Sequence, residues 1–322
     1  MIRLYFHFGI KLFNRNKKSS KKNNKKTEDA TFVQQAQQVI DSFKERRAKS
    51  TIDNYRTALR SITRYAGEDL TTDNIDNNLL ESFQRWLTGQ GVCQNTISCY
   101  MRSLRSVIFR ISPEMKNKVT FEHVYTGKAR TEKRSIPLSD VVRIRQCQLP
   151  KGSTLAFARD IFMFSIYALG MPFVDIAYLR KPQLSDGYIT YFRHKTSQRI
   201  RIRIESPMQQ IINRYTKADS PYVFPILTST DKEQMAKEYE TARTRYNRHL
   251  RELGRLVGTQ RRLTSYVARH SWASMAYHAN VELSVISKAL GHTSPNTTLT
   301  YIREIDDNRI DRANKRLLRA IR

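Results

Sequence analysis

Between Leu263 and Ile302 the chain reads LTSYVARHSWASMAYHANVELSVISKALGHTSPNTTLTYI. A guanidinium and an imidazole stand together at Arg269-His270. A second imidazole follows 23 positions after Arg269 in Leu290-Gly291-His292, and a phenol closes the run at Tyr301, nine residues after His292. These residue types suit phosphoryl transfer: a hydroxyl that can attack phosphorus, and cationic donors that can cover the non-bridging oxygens. Each also has a plain structural explanation: Tyr301 as a packing ring, His292 as a helix-terminal polar group, Gly291 as a C-cap and Arg269 as half of a buried ion pair. No acid lies near Arg269 in sequence to complete that pair. No Asp/Glu cluster of the kind that holds a divalent ion is evident, so the expectation is chemistry by fixed cations, with no metal and no cofactor.

The charge balance names a partner class. Lys and Arg number 57 against 29 Asp and Glu, a net charge of +28 over 322 residues. A surplus that large repels itself in a folded chain unless a polyanion relieves it, and nucleic acid is the common polyanion. The basic residues run through every segment, which favours DNA lying across the body of the fold. With 39% hydrophobic and 27% charged residues the chain has the composition of a soluble globular protein, and no apolar run is long enough to span a membrane. Cys93, Cys99 and Cys147 have no metal-like spacing and read as reduced thiols in a cytoplasmic, nucleoid-associated protein. The opening MIRLYFHFGIKLF is short and apolar like a leader but has no small-residue cleavage site.

The elements that must position these residues fall into two domains. Residues 1–30 form a Lys/Asn-rich basic tail, expected to be flexible. From Thr31 onward, helical spacing gives four short amphipathic helices within 31–125. The second is expected to be capped by Ser50 and ended by Gly67, and the fourth to start after Asn95. The fourth would bury Ile97, Tyr100, Met101, Leu104 and Ile108, leaving Arg102 and Arg105 outward as DNA-backbone contacts. The polar stretch 126–135 reads as a linker and 136–322 as the second domain. There Ser139 would cap a helix, and Leu155–Gly170, apolar nearly all round, would be a central core helix. Tyr188–Ile204 changes period: Ile200, Ile202 and Ile204 alternate with Arg199, Arg201 and Arg203, as in a half-buried hairpin turned at Thr196, Ser197 and Gln198. The fold class is therefore mainly α, a four-helix bundle followed by a mixed α/β domain with a small antiparallel sheet.

These boxes, at these separations, resemble the tyrosine recombinases of the phage-integrase family. The TTxTY ending, YALGMPFVDIAYL upstream and the hairpin carrying Lys195 fit the same pattern, and the resemblance spans about residues 31–322. It implies a SAM-like core-binding domain before a catalytic domain, the short type without an arm-binding domain, closing around DNA like a C. It also implies site-specific cutting and rejoining through a 3′-phosphotyrosyl intermediate, for integration, excision or inversion of a DNA element. Tyr301 would be the nucleophile, Arg269 the fork on the phosphate and His292 a hydrogen-bond donor to it. Lys195 would protonate the leaving 5′-oxygen, and His270 would be an accessory base or orienting group. The partners implied are double-stranded DNA with inverted-repeat core sites, a homotetramer on that DNA, and accessory DNA-bending proteins.

Two positions depart from the family. The first-box arginine is replaced by Pro172, and the His of His-x-x-Arg by Tyr266, which can still donate a hydrogen bond. Either another arginine enters the pocket or the chain is a non-catalytic DNA-binding regulator on the same fold. Arg193, Arg180 and Arg159 are the available donors. If Arg193 and Lys195 lie on one strand, they project to one face, which favours Arg193. A ribosome- or RNA-associated role would explain the charge but not the spacing from 263 to 302.

Overall fold

A computed structural model of the chain describes residues 30–132 and 134–302, together with 314, 315, 318 and 319. Apart from Ala30, the basic tail expected over residues 1–30 lies outside the described residues. The chain divides between Arg130 and Thr131 into two compact units.

The first unit holds four helices, α1 (Phe32–Ser42), α2 (Lys49–Ala66), α3 (Asn77–Gly89) and α4 (Gln94–Ile111). Thr31 starts α1 with a reciprocal cap: its hydroxyl accepts from the Gln34 amide, and the Gln34 side chain accepts from the Thr31 amide. Phe32, Ile40, Ile62, Leu80, Phe83, Met101 and Ile108 are the residues that 3.6-residue spacing turns inward, and all are fully buried. The start of α2 differs from expectation. Ala48 occupies the cap position in extended geometry and its carbonyl takes the first helical amides, so Ser50 lies inside the first turn. Likewise α4 starts at Gln94, because the Asn95 side chain is engaged by the Ala129 backbone at 2.9 and 3.0 Å. Ser98 donates to the Gly127 carbonyl at 2.6 Å, so the start of the stretch read as a linker is fastened to α4. Tyr100 is only partly buried. Arg102 is exposed while Arg105 is half-buried, with Arg102 Nε donating back to the Ser98 carbonyl.

The second unit is built around α6 (Thr154–Tyr167). It follows α5 (Leu138–Gln146) and precedes α7 (Phe173–Ala177), the strands β1 (Leu184–Ser185), β2 (Tyr188–Phe192) and β3 (Arg199–Arg203), and helices α8 (Ser206–Tyr215) and α9 (Lys232–Val257). The last three described helices are α10 (Val267–His278), α11 (Leu283–Ala289) and α12 (Pro295–Leu299). Being apolar all round, α6 packs against α5, α8, α9 and α10 at once. It stops at Tyr167, earlier than the apolar run suggests, because Leu169 (φ 57°) and Gly170 (φ 73°) turn left-handed in succession. Pro137, not Ser139, holds the cap position of α5, its ring fixing φ at −69°.

The sheet is antiparallel in the order β1-β2-β3, with Ile189 opposite Ile202 and Tyr191 opposite Ile200 on the buried face. One expectation fails here: Arg193 and Lys195 do not share a strand. β2 ends at Phe192, and the Arg193 carbonyl takes the Thr196 and Ser197 amides to close a turn over 193–198, with Ser197 at φ 53°. In that turn Arg193 is buried and Lys195 is exposed.

Candidate active site

Arg269 is the centre of the site and 1% exposed. It enters from the first turn of α10, where Ser271 Oγ accepts the Ile136 amide at 3.0 Å and anchors the helix. Its guanidinium donates to the Gly170 carbonyl at 3.0 Å, to the Leu290 carbonyl, and to His292 Nε2 at 3.1 Å. The left-handed pair Leu169-Gly170 is what aims that first carbonyl inward, a costly conformation for leucine held by its surroundings. A Cβ on Gly170 would lie 3.1 Å from Arg269 Cα, so glycine also makes room for the helix. Among the described residues Arg269 makes no ion pair; the acid whose charge it meets is Asp175.

Because an arginine can only donate, His292 Nε2 is an acceptor and its proton sits on Nδ1, 2.9 Å from Thr298 Oγ1. Burial first, then the charges of Arg269, Arg193, Lys195 and His270, push the imidazole down to about 3. It is neutral here and orients Arg269. The expected donation to a phosphate requires Arg269 to release Nε2.

Tyr301 follows α12 and is 8% exposed, its carbonyl held by Ser274 Oγ at 3.2 Å. Its hydroxyl lies 3.5 Å from that of Tyr266, its ring stacks on His270 at 4.3 Å, and the Arg269 guanidinium sits 5.7 Å from the ring centre. Burial and the hydrogen bond shared with the Tyr266 hydroxyl raise its pKa, while Arg269 and Arg193 oppose the rise. The phenol is therefore protonated in the free protein.

Arg193 reaches the same place from the hairpin turn. It is 4% exposed and donates to the Gly291 carbonyl at 2.8 Å, which also accepts from Thr196 Oγ1 at 3.1 Å. Gly291 ends α11 left-handed (φ 61°), as a C-cap does, and a Cβ there would lie 2.8 Å from Ile200 Cδ1 and 3.1 Å from Arg193 Cδ. One glycine thus both terminates a helix and locks the turn to it. Burial and then the Arg193 charge lower the pKa of Arg269, the mark of two cations forced together. The Nε atoms of both are buried without a hydrogen bond among the described residues. The two rival arginines are held elsewhere. Arg180 is exposed over the Tyr222 ring at 5.7 Å, and Arg159 is spent on Asp160 (2.9 Å) and the Cys147 carbonyl (2.7 Å). Lys195 is exposed on the turn, close enough for its charge to act on His292.

Three residues escaped sequence reasoning. Asp175, 5% exposed, accepts the His194 amide at 2.9 Å and faces both arginine charges, with burial raising its pKa. An acid inside the apolar run YALGMPFVDIAYL was the available signal, since an unpaired buried carboxylate is rare. Thr196 and Thr298 stand in stretches the sequence did mark, the hairpin turn and the TTxTY ending, but the contacts they make, to the Gly291 carbonyl and to His292, had no local signal. Among the described residues no group of three or more His, Cys, Asp or Glu side chains could hold a metal, and the three cysteines are free.

A helical bundle followed by a mixed domain that gathers a phenol, two guanidiniums and imidazoles defines a class of strand-transferring enzyme. The comparisons agree. The "Phage integrase SAM-like domain" family matches residues 31–110, and the "Phage integrase family" matches residues 123–308. The chain belongs to the phage integrase family and is a tyrosine-type site-specific recombinase. Tyrosine recombinase XerA of Pyrococcus furiosus is 23% identical over 265 residues, covering 70% of this chain and 90% of that one. A tyrosine recombinase of Thermosipho africanus is 22% identical over 293 residues, covering 86% and 99%. Among solved structures, the Tn1549 transposon integrase (residues 82–397) superposes with a TM-score of 0.66 at 12% identity, covering 89% of this chain and 99% of that chain. Lambda integrase (75–356) gives 0.62 at 16% identity, covering 84% and 96%. These two likenesses are of fold.

Proposed function

We propose that the chain cuts and rejoins double-stranded DNA at inverted-repeat core sites through a 3′-phosphotyrosyl link on Tyr301, to integrate, excise or invert a DNA element. The observation that carries this reading is the convergence of Tyr301, Arg269, Arg193 and His292 in one largely buried cluster. Arg269 and Arg193 grip the non-bridging oxygens of the scissile phosphate, Arg193 standing in for the guanidinium that Pro172 lacks. A phosphate's charge raises the His292 pKa again, so that the ring, freed as Arg269 turns to the phosphate, donates to it as well. Tyr301 Oη attacks phosphorus as its proton passes to His270, the accessory base stacked on its ring, the P–O5′ bond breaks, and Lys195 gives its proton to the departing 5′-oxygen. Tyr266 and His270 hold the phenol in place. A 5′-hydroxyl then reverses the step, giving its proton to Lys195 while Tyr301 departs and takes its own back from His270. Four protomers on two sites fit this chemistry; a lambda integrase tetramer on a Holliday junction has a related fold (TM-score 0.63). Accessory DNA-bending proteins and a cytoplasmic, nucleoid-associated location follow from the same reading. Among the described residues no helix is long and apolar enough to cross a membrane.

Pro172 favours one rival, a DNA-binding regulator without cleavage. Nicked duplexes carrying candidate inverted repeats, mapped from the DNA beside the gene, separate the two. The enzyme should leave an SDS-stable protein–DNA adduct that maps to Tyr301 and is absent in Tyr301→Phe, with site binding retained. No adduct from the unaltered chain would favour the regulator, and an adduct on Tyr266 would overturn the assignment.

A further inference from the structure

The catalytic reading uses the inner side and the turn of the β2–β3 hairpin and leaves its outer face unexplained. Residues opposite one another in this ladder share a face, so the register places Tyr188 with Arg203, Thr190 with Arg201 and Phe192 with Arg199 outward. All three arginines are exposed, and Phe192 is 67% exposed. The Arg201 guanidinium lies 3.6 Å from the centre of the Tyr188 ring, already laid flat by a cation–π contact. The acid that approaches Arg203 is Glu205, at 3.9 Å with both side chains largely solvated, so it neutralises little.

We propose that this face is a track for the phosphate backbone of duplex DNA, running outward from the Lys195 turn beside the scissile phosphate. The inference rests on the reading of the chain as a DNA strand-transfer enzyme and deepens it. Side chains at i, i+2 and i+4 of a strand are about 6.7 Å apart, so Arg199, Arg201 and Arg203 cover about 13 Å. At ~3.4 Å of helix axis per charge on one strand, that length spans on the order of four phosphates. The inner-face residues Ile200 and Ile202 are 5% and 4% exposed and fix the strand from below, so the arginines are held in line by the core. Phe192 and Tyr188 set aromatic surface among them, suited to sugar and base edges beside the phosphates. Arg199 stands opposite Phe192, the residue before Arg193, which makes the track continuous with the catalytic turn.

The competing explanation is protection of an edge. β3 has one neighbour in the sheet, and charged side chains on an edge strand discourage pairing with other chains. Protection needs charge alone. It gives no reason for an exposed phenylalanine on the same face, which raises the risk of association.

The test is the slope of log Kobs against log salt for the full chain on a duplex, read by fluorescence anisotropy. Each phosphate neutralised contributes about 0.9 to that slope, so replacing Arg199, Arg201 and Arg203 together by Gln should lower it by about 2.7. Over a fourfold rise in salt the unaltered chain would then lose about 40-fold more affinity than the variant. The triple Lys replacement should keep the slope, since it keeps the charges. Should the triple Gln variant precipitate, Arg199→Gln alone is read the same way, with an expected drop of about 0.9. A steep slope unchanged by the Gln replacements overturns the track and leaves the catalytic reading standing. A flat slope or no duplex binding by the unaltered chain overturns the reading beneath it. A drop seen on single-stranded RNA but not on duplex DNA names the wrong occupant and also sinks the proposal.

Discussion

At the scale of single residues, the pocket is a balance of like charges. Arg193, tied to the Gly291 carbonyl, lies close enough to Arg269 for its charge to lower the pKa of Arg269, with Asp175 as the buried acid whose charge meets both. An anion that meets both guanidiniums gains most when its charge grows, which is the situation of a phosphoryl transition state. Arg193→Ala should therefore slow cleavage of a suicide substrate by about a hundredfold while altering affinity far less. Arg180→Ala, from a residue occupied by Tyr222, should cleave at the normal rate. The reverse pattern in these two variants would give the substituted role to Arg180. His292 supplies a pH test. Its folded value of about 3 lies below the ordinary imidazole value of 6.5, so between those values the unfolded chain binds the extra proton. The stability this gives is complete above pH 6.5 and falls away as acid approaches pH 3. In urea unfolding without DNA, the unaltered chain should lose more stability between pH 7.5 and pH 5 than His292→Gln does. Equal losses would mean the ring is already solvated.

At the scale of elements, the decisive contact joins the β2–β3 turn to the end of α11. Arg193 and Thr196 both donate to the carbonyl of Gly291, whose φ of 61° and close neighbours leave no space for a side chain. Gly291→Ala must adopt a left-handed conformation and push Ile200 or Arg193 aside, at a cost of about 1–2 kcal/mol. The expected result is a melting temperature lower by about 2–8 °C, since 1 kcal/mol is worth about 2–4 °C in a unit of this size. Cleavage should fall more than tenfold at a temperature where the variant is folded, because the turn carries Arg193 and Lys195 together. A variant that melts early yet cleaves normally would show the turn to be placed by other contacts. The sequence revealed the hairpin through its alternating isoleucines and arginines, and the beginning of α1 near Thr31 through the helical spacing that follows it. It misplaced the starts of α2, α4 and α5, because extended backbone at Ala48 and Cys93 and the fixed φ of Pro137 outcompeted the nearby serine and asparagine side chains.

At the scale of the whole molecule, the +28 charge makes DNA binding a salt-governed equilibrium. If six or more phosphates are neutralised, with Arg102 and Arg105 among the donors, a fourfold rise in salt should weaken binding by on the order of a thousandfold. Removing residues 1–26 takes away much positive charge and none of the pocket residues. That truncation should weaken binding to unrelated DNA and reduce its salt slope while strand exchange at the specific site continues. Loss of exchange would make the tail part of the reaction.

The sequence by itself determined the classes of element, through apolar periods of 3.6 and 2, and the identity of most pocket residues, through the separations of Arg269, His292 and Tyr301. Periodicity is local, and a motif records which residues a site contains, so both survive in a linear text. Tertiary structure decided what those residues do to each other. Arg193 enters the pocket because a turn, not a strand, follows Phe192, a geometry set by the left-handed Ser197 and by the Gly291 carbonyl 98 residues away. The His292 tautomer follows from Arg269 being able only to donate. The isolation of Arg159 and Arg180 follows from Asp160 and Tyr222. Charge, tautomer and access depend on neighbours brought together by folding, and long-range neighbours leave no period in a chain.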